Sequence, residues 1–217
     1  MIESFRTVYE GGVGEIIEKK SRFIATVLPV KTEEAALEFI EQTKKKYWNA
    51  THNCSAYVIG MKDEIQRCSD DGEPSKTAGR PMLDILLGEG IHDVAVVVTR
   101  YFGGTLLGTG GLVRAYQCAT KEGLKNSVII EKLCGIKVQI NTDYNGIGKL
   151  QYVSSQMEIT ILNTEYTDIV IITALIPAQL LNEFHKKVIE LTSGKAQIEE
   201  LETIYYSNVS GDILIFD

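Results

Sequence analysis

The sequence predicts an α+β fold in two domains, residues 1–130 and 131–217, and three observations lead to this prediction. The run Val94–Val98 has the length and the β-branched composition of a strand that is buried on both faces. Strand and helix patterns alternate along the rest of the chain. The charge balance changes near residue 130: the first part has 16 Lys and Arg against 17 Asp and Glu, and the second has 6 against 12, so −1 and −6 make up the net charge of −7.

The first domain is predicted to begin with two or three strands between Ser4 and Val30, followed by a helix. Thr32 can cap that helix, because acidic residues follow it directly and Lys44–Lys46 fill the last turn. Negative charge at the N-terminus and positive charge at the C-terminus both interact favourably with the helix dipole.

A hairpin and a short helix are predicted next. One strand ends at Gly60, and its partner is Glu64–Cys68. After a polar loop, the apolar stretch Met82–Leu87 predicts a short helix that leads to the central strand at Val94–Val98. A glycine-rich loop and a last helix, which ends near Asn126, complete the domain.

The second domain shows the order β-α-β-β-α-β. Its apolar patterns predict a strand at Ile136–Ile140, a helix at Ile147–Met157, strands at Ile159–Ile161 and Ile169–Ile176, a helix at Leu180–Leu191 and a strand at Ile198–Tyr206. This is the order of ferredoxin-like domains, whose first and third strands are central. We expect the open face of the sheet to be covered by the first domain, by a second copy of the chain or by the tail Ile213–Phe216.

Composition narrows the classes of function. There is no apolar run long enough to span a membrane, and the N-terminus lacks the apolar core of a signal peptide, so a cytoplasmic protein without membrane contact is expected. Four separated cysteines and three histidines make a zinc site improbable, and no metal or cofactor is predicted. A net acidic chain needs a local basic site or a protein partner to reach nucleic acid. The oligomeric state is left open.

The loop after the central strand contains five glycines, Gly103, Gly104, Gly108, Gly110 and Gly111. A helix that begins at Gly110 or Gly111 presents free N–H groups and a partial positive charge, which is a ready anion site. Arg100 and Arg114 would add charge at that end. Tight packing of helix on sheet explains the glycines equally well.

Neither common nucleotide loop fits these glycines. A phosphate-binding loop would need lysine at Thr109, and the dinucleotide fingerprint would need glycine at Val113. If an anion binds here, neither of these two nucleotide-binding motifs holds it.

A second segment, residues 69–81, is too polar to be core, and so specific a composition is typical of a loop that is either functional or poorly ordered. Its carboxylates, Asp70, Asp71 and Glu73, could hold Mg²⁺ or could neutralise arginines elsewhere. Upstream, His52 and Cys54 share one face of a strand, so they could form a catalytic pair, or the thiol could simply be half-buried beside a hydrogen-bonded histidine.

These segments resemble the motifs of the YigZ/Impact family. The matching stretches are His52–Tyr57, Asp70–Ser75 with Thr77–Gly79, Val98–Gly104 with Leu107–Gly108, Gly110–Leu112 and Arg114–Tyr116. The resemblance covers the whole chain. It implies a first domain of the ribosomal protein S5 domain 2-like fold, similar to domain IV of elongation factor G, and a second similar to domain V of that factor. Lys76 departs from the family pattern, which has glycine there.

The resemblance implies no established enzymatic reaction, and eukaryotic Impact proteins regulate translation. The predicted site is a polar cleft lined by Arg100, Arg114, Arg80, Lys76, the five glycines, His52, Asn53, Asp70, Asp71, Glu73, Ser75 and Thr77. The leading hypothesis is a non-enzymatic factor that grips RNA or ribosome phosphate there. An enzyme for a nucleotide or phosphorylated metabolite, with Asp71 or Glu73 as base or Mg²⁺ ligand, is the alternative. A third hypothesis is protein binding through Tyr101 and Phe102.

Overall fold

The computed structural model describes residues 2–209 and 211–216. It forms two compact units, one over Phe5–Glu131 and the other over residues 2–4, 132–209 and 211–216. In the described part of the chain, no helix combines the length and the apolar character needed to cross a bilayer.

The N-terminal unit contains most of the elements that the sequence predicts. They are β1 Ser4–Glu10, β2 Val13–Glu18, β3 Ser21–Pro29, α1 Glu33–Lys46, β4 His52–Ile59, β5 Ile65–Ser69, α2 Gly79–Gly88, β6 Ile91–His92, β7 Val94–Tyr101 and α3 Thr109–Lys125. An antiparallel five-stranded sheet has the order β2-β3-β7-β4-β5. Strand β1 pairs with β6 in parallel.

Strand β7 is the middle strand of this sheet, and it is buried on both faces as predicted. Val94, Val96 and Val98 belong to a core cluster with residues of α2 and α3. The alternate residues, Ala95 and Val97, belong to a cluster with residues of α1. Because side chains of a strand alternate between faces, one β-branched run supplies both layers of core.

Helix α1 begins where the sequence predicts. The Thr32 hydroxyl accepts a hydrogen bond from the Ala35 N–H at 3.2 Å. The helical spacing predicts one core face of Ala36, Phe39, Ile40, Thr43 and Tyr47, and all of these are buried except Tyr47, which is half-buried. Capping and amphipathic spacing therefore locate this helix in the sequence, and packing of its apolar face against β4 and β7 buries it.

The C-terminal unit has the predicted order of elements. They are β8 Val128–Thr142, α4 Ile147–Gln156, β9 Thr160–Tyr166, β10 Val170–Pro177, a 3₁₀ turn at Ala178–Leu180, α5 Leu181–Thr192, β11 Gln197–Val209 and β12 Asp212–Phe216. The strands lie in the order β9-β10-β8-β11-β12, so β8 and β10 are central. The α+β class and the ferredoxin-like order are thus confirmed.

The tail corrects one expectation. Ile213–Phe216 does not cover the open sheet face, because β12 pairs with β11 at the edge of the sheet, with Tyr205 opposite Phe216 and Val209 opposite Asp212. Backbone hydrogen bonding thus determines where the tail lies.

Candidate functional site

The site lies where the ends of β4 and β7 meet the loop of residues 69–81. These strands are antiparallel neighbours, and His52 is opposite Arg100 while Asn53 is opposite Thr99. The Thr99 hydroxyl donates to the Asn53 side-chain oxygen at 2.7 Å. The strand register therefore places the two polar strand ends side by side.

A buried ion pair forms the floor of the site. One Arg100 nitrogen, Nη1, lies 2.6 Å from Glu73 Oε1, and both side chains are almost completely buried. The Tyr116 hydroxyl donates to the same carboxylate oxygen at 2.8 Å. Arg100 also lies over the rings of Phe23 and Phe102, 5.3 and 5.6 Å from their centres. Glu73 is thus held by a strand and by a helix at once.

Cys54 is a buried hydrogen-bond donor and not an activated nucleophile. Its Sγ lies 3.0 Å from the Asp70 carbonyl oxygen and 3.3 Å from the Tyr116 hydroxyl. Burial raises the pKa of this thiol, so it stays protonated at neutral pH. His52 is engaged elsewhere, with Nδ1 2.8 Å from the Asp71 carbonyl oxygen and Nε2 3.9 Å from Glu73 Oε2. Of the two alternatives for His52 and Cys54, the structure supports the hydrogen-bonded one.

Asp70 holds the loop against the start of α2. Its carboxylate accepts hydrogen bonds from the N–H groups of Lys76, Ala78 and Gly79 at 2.8, 3.0 and 2.9 Å. Since the first N–H groups of a helix have no partner within it, this carboxylate satisfies the one at Gly79 and suits the helix dipole.

Asp71 joins the loop to α1 and β4. It accepts from the Lys44 ammonium at 2.9 Å and from the Asn53 N–H at 2.7 Å. Burial alone would raise the pKa of Asp71, but these two hydrogen bonds outweigh it and lower the pKa below its usual range. All three loop carboxylates thus have protein partners, and within the described ranges no group of three His, Cys, Asp or Glu could hold a metal.

A cavity of about 450 Å³ opens above the ion pair. It is lined by Thr51, His52, Gly72, Glu73, Pro74, Arg100, Phe102, Leu106, Leu107, Gly108, Thr109 and Leu112. Its floor is polar, whereas much of its wall is apolar. Leu106 and Phe102 are 83% and 47% exposed, so the mouth presents apolar side chains to solvent.

Helix α3 begins at this cavity, at Thr109 and so one residue before the predicted start. Its first intrahelical hydrogen bond runs from the Leu112 N–H to the Gly108 carbonyl at 3.0 Å. The N–H groups of Thr109, Gly110 and Gly111 precede that bond, and they have no partner within the helix. The cavity wall thus carries the positive end of a helix dipole.

The five glycines serve different purposes. A Cβ on Gly103 would overlap the Lys20 backbone, so this position requires close packing. Gly104 and Gly108 have positive φ angles of 81° and 73°. A Cβ on Gly110 would meet only the end of Arg114, 4.0 Å away. Close packing therefore explains Gly103 and the left-handed backbone explains Gly104 and Gly108, whereas neither explains Gly110.

Two predicted arginines do not line this cavity. Arg80 is exposed on α2, where it pairs with Asp84 at 2.7 Å across one helical turn. Arg114 is exposed on a different side of α3 and lines a second cavity, of about 410 Å³, with Lys19. Helical geometry separates Arg114 from Arg100, although both flank the same loop in sequence. The predicted three-arginine cleft is therefore corrected to a site with one buried arginine.

The remaining predicted residues are structural neighbours of the cavity. Thr77 is buried and donates to the Pro74 carbonyl at 2.6 Å, whereas Ser75 is exposed. Lys76 is exposed and has a φ of 64°, so it adopts the left-handed backbone that favours glycine. It tolerates the turn, and it does not line the cavity.

Sequence reasoning misses several residues that build the site. The apolar pattern of helical period at Leu112, Val113, Tyr116 and Ala119 predicts only a core-facing ring for Tyr116, although its hydroxyl binds both Glu73 and Cys54. Leu106 and Leu112 form cavity wall. The last-turn position of Lys44 predicts only a solvated charge, yet Lys44 binds Asp71. The phenol of Tyr116 is the available signal, because a buried hydroxyl needs a partner.

Two protein-family models match stretches of this chain. Residues 19–124 match the Impact N-terminal domain, and residues 140–195 match a domain of unknown function, DUF1949. The IMPACT family member YvyE of Bacillus subtilis (strain 168) is 43% identical over 205 residues, which cover 94% of each chain. The IMPACT family member YigZ of Escherichia coli (strain K12) is 36% identical over 85% of this chain and 91% of its own.

A eukaryotic protein and a solved structure are also similar to this chain. Protein IMPACT-A of Xenopus tropicalis is 35% identical over 55% of this chain and 37% of its own. A solved structure described as the crystal structure of a hypothetical protein is similar with a TM-score of 0.59 and 32% identity, covering 93% of this chain and 99% of that one.

Proposed function

Because this chain belongs to the IMPACT family, we propose that it is a non-enzymatic, translation-associated factor that binds RNA, free or within the ribosome, through the cavity of its N-terminal unit. The observation that carries the proposal is the start of α3 in the wall of that cavity. Thr109 lines the cavity, and its N–H, which has no partner within the helix, favours a phosphate group there together with the helix dipole.

The size and lining of the cavity suit one nucleotide of such a chain. About 450 Å³ lies within the range of small-ligand sites. Phe102, Leu106 and Leu112 offer apolar contact for a base or sugar. The N-terminus of α3 lies in the same cavity wall and can bind the phosphate. A base binds an aromatic face regardless of its sequence, so sequence-tolerant binding is expected.

Charge limits the strength of this interaction. Arg100 is neutralised by Glu73, so the cavity floor attracts an anion only weakly. The attraction comes mainly from the helix end. Binding of one phosphate on a single strand would lower the logarithm of the binding constant by about 0.7 for each tenfold rise in salt, and each further phosphate would add about as much.

The test compares two leucine-to-glutamate variants. Leu106→Glu places a carboxylate at the cavity mouth, and Leu37→Glu places one on an exposed face of α1 that does not line the cavity. Both side chains are exposed, at 83% and 51%, so both variants should fold. Binding to labelled single-stranded RNA and to ribosomes is measured over a salt series.

We expect Leu106→Glu to weaken binding and Leu37→Glu to leave it unchanged. Equal binding by all three proteins would remove the cavity from the proposal. Absence of binding by the wild type even at low salt would overturn the RNA proposal itself.

A second candidate function uses the same cavity for a small phosphorylated metabolite or nucleotide. A volume of about 450 Å³ favours it, because this size is typical of small-ligand sites. The thermal unfolding temperature would rise with nucleotides and Mg²⁺ by mass action if such a ligand binds. A protein partner held by exposed Phe102 and Leu106 would instead give a complex that changes little with salt.

A further inference from the structure

Trp48 is exposed to an unusual degree. It is the only tryptophan of the chain, it lies between α1 and β4, and it is 82% exposed. Tryptophan is usually well buried, and exposed aromatic side chains are typical of binding surfaces. The indole contributes little to the core, so its position calls for another explanation.

The loop that carries this indole is fixed to the rim of the cavity. The Tyr101 hydroxyl donates to the Asn49 side-chain oxygen at 3.0 Å. The Thr51 N–H donates to the Arg100 carbonyl at 2.9 Å, and the Phe102 N–H donates to the Thr51 hydroxyl at 3.2 Å. Thr51 and Phe102 both line the cavity. These bonds hold the loop against the end of β7 and so preorganise the surface.

Cations precede the indole in the chain. Lys44 pairs with Asp71, whereas Lys45 and Lys46 have no carboxylate partner among residues 2–209 and 211–216. The Lys46 ammonium lies 5.2 Å from the centre of the Tyr47 ring. Unpaired lysines are depleted from the cores of protein interfaces. Lysines beside exposed aromatic rings are typical of surfaces that bind single-stranded nucleic acid.

We propose that Trp48 stacks on an unpaired base of single-stranded RNA, with Lys45 and Lys46 contacting its phosphates, next to the nucleotide in the cavity. This inference rests on the proposed function and adds the strand type and a second point of contact. A duplex keeps its internal bases paired and stacked on one another, so it offers no unpaired base to the indole.

The indole reports on its own environment, because no other tryptophan contributes to the emission. The probes are an oligouridylate single strand and a self-complementary RNA duplex of equal length. We expect the single strand to quench Trp48 emission in a saturable way, with the dissociation constant that anisotropy of labelled RNA gives. The duplex should leave the emission unchanged.

Substitutions separate stacking from charge. We expect Trp48→Ala to weaken binding of the single strand roughly 5- to 150-fold, and Trp48→Phe to retain most of the affinity. Lys45→Gln with Lys46→Gln should make the salt dependence shallower. Tyr152→Ala is the matched control, because Tyr152 is a 59% exposed aromatic residue of the C-terminal unit.

Quenching by the single strand together with weaker binding by Trp48→Ala, and not by Tyr152→Ala, supports the inference. If the single strand binds but neither Trp48 emission nor the affinity of Trp48→Ala changes, the inference is wrong and the cavity proposal stands. If no RNA binds to the wild type, both fall together.

Discussion

The guanidinium of Arg100 donates a hydrogen bond to the Glu73 carboxylate at 2.6 Å, and this pair is buried between β7, the loop of residues 69–81 and helix α3. Removing one member leaves the other charged, desolvated and unpaired. We expect Arg100→Met to lower the free energy of unfolding by about 3–5 kcal/mol, as measured by urea denaturation.

The double variant Arg100→Met with Glu73→Gln supplies the control for that prediction. The side-chain amide introduced by Glu73→Gln can still accept a hydrogen bond from the Tyr116 hydroxyl, and no charge is left buried. The double variant should therefore lose less stability than Arg100→Met alone. A loss in the double variant equal to the sum of both single losses would contradict the pairing.

Gly103 and Gly110 lie in the same loop and helix start, but they should respond oppositely to alanine. A Cβ at position 103 would overlap the Lys20 backbone, which costs about 1–3 kcal/mol when neighbouring atoms must shift. A Cβ at position 110 has space, and alanine favours a helix over glycine by up to about 1 kcal/mol. Thermal and urea unfolding of both variants checks this, and equal effects would contradict it.

Replacement of Lys76 by glycine should stabilise the fold. Its φ of 64° costs an L-residue about 1–2 kcal/mol, and glycine avoids this cost. The greater freedom of glycine in the unfolded chain offsets part of that gain. We expect Lys76→Gly to raise the free energy of unfolding by about 0.5–1 kcal/mol. Ser75→Gly, one residue earlier and without a positive φ, should destabilise instead. Urea unfolding of both variants provides the measurement, and a loss of stability in Lys76→Gly would contradict the prediction.

The four cysteines should differ in reactivity. Cys118 and Cys68 are exposed, although burial of part of the Cys68 side chain raises the pKa of its thiol. Cys54 and Cys134 are buried, and burial raises the pKa of both thiols. With iodoacetamide on the folded protein, mass spectrometry should find Cys118 modified first, Cys68 next, and the buried pair only after denaturation. Early modification of Cys54 would contradict its hydrogen-bonded state.

The sequence is informative where structure depends on local pattern. The β-branched run of β7, the capped helix after Thr32 and the β-α-β-β-α-β order of the second domain follow from spacing and composition, and they are confirmed. Such elements need only short-range physics together with the few topologies that strands and helices allow. The tail Ile213–Phe216 is harder, because an apolar stretch can either cover a sheet or extend it.

The pairing of charges at the site depends on long-range geometry. Arg80, Arg100 and Arg114 are equivalent candidates for the loop carboxylates in sequence. Only the register of β4 with β7 brings Arg100 under the loop to meet Glu73, while helical geometry turns Arg80 toward Asp84. A side-chain direction of this kind follows from packing of whole elements, which composition does not determine.

The Asp71 carboxylate should make the free energy of unfolding depend on pH in the acid range. Hydrogen bonds from Lys44 and Asn53 outweigh burial and lower the pKa of Asp71 in the folded state. A lowered pKa stabilises the fold above the unfolded pKa of about 4, and this stabilisation is lost as pH falls through the folded pKa. We expect Asp71→Asn to be less stable than wild type at pH 6 and to approach it near pH 2, in urea unfolding at a series of pH values. Lys44→Met should reproduce part of the same pH-dependent loss, because it removes one donor to that carboxylate. A stability difference that stays constant from pH 6 to pH 2 would show that the carboxylate charge of Asp71 does not contribute.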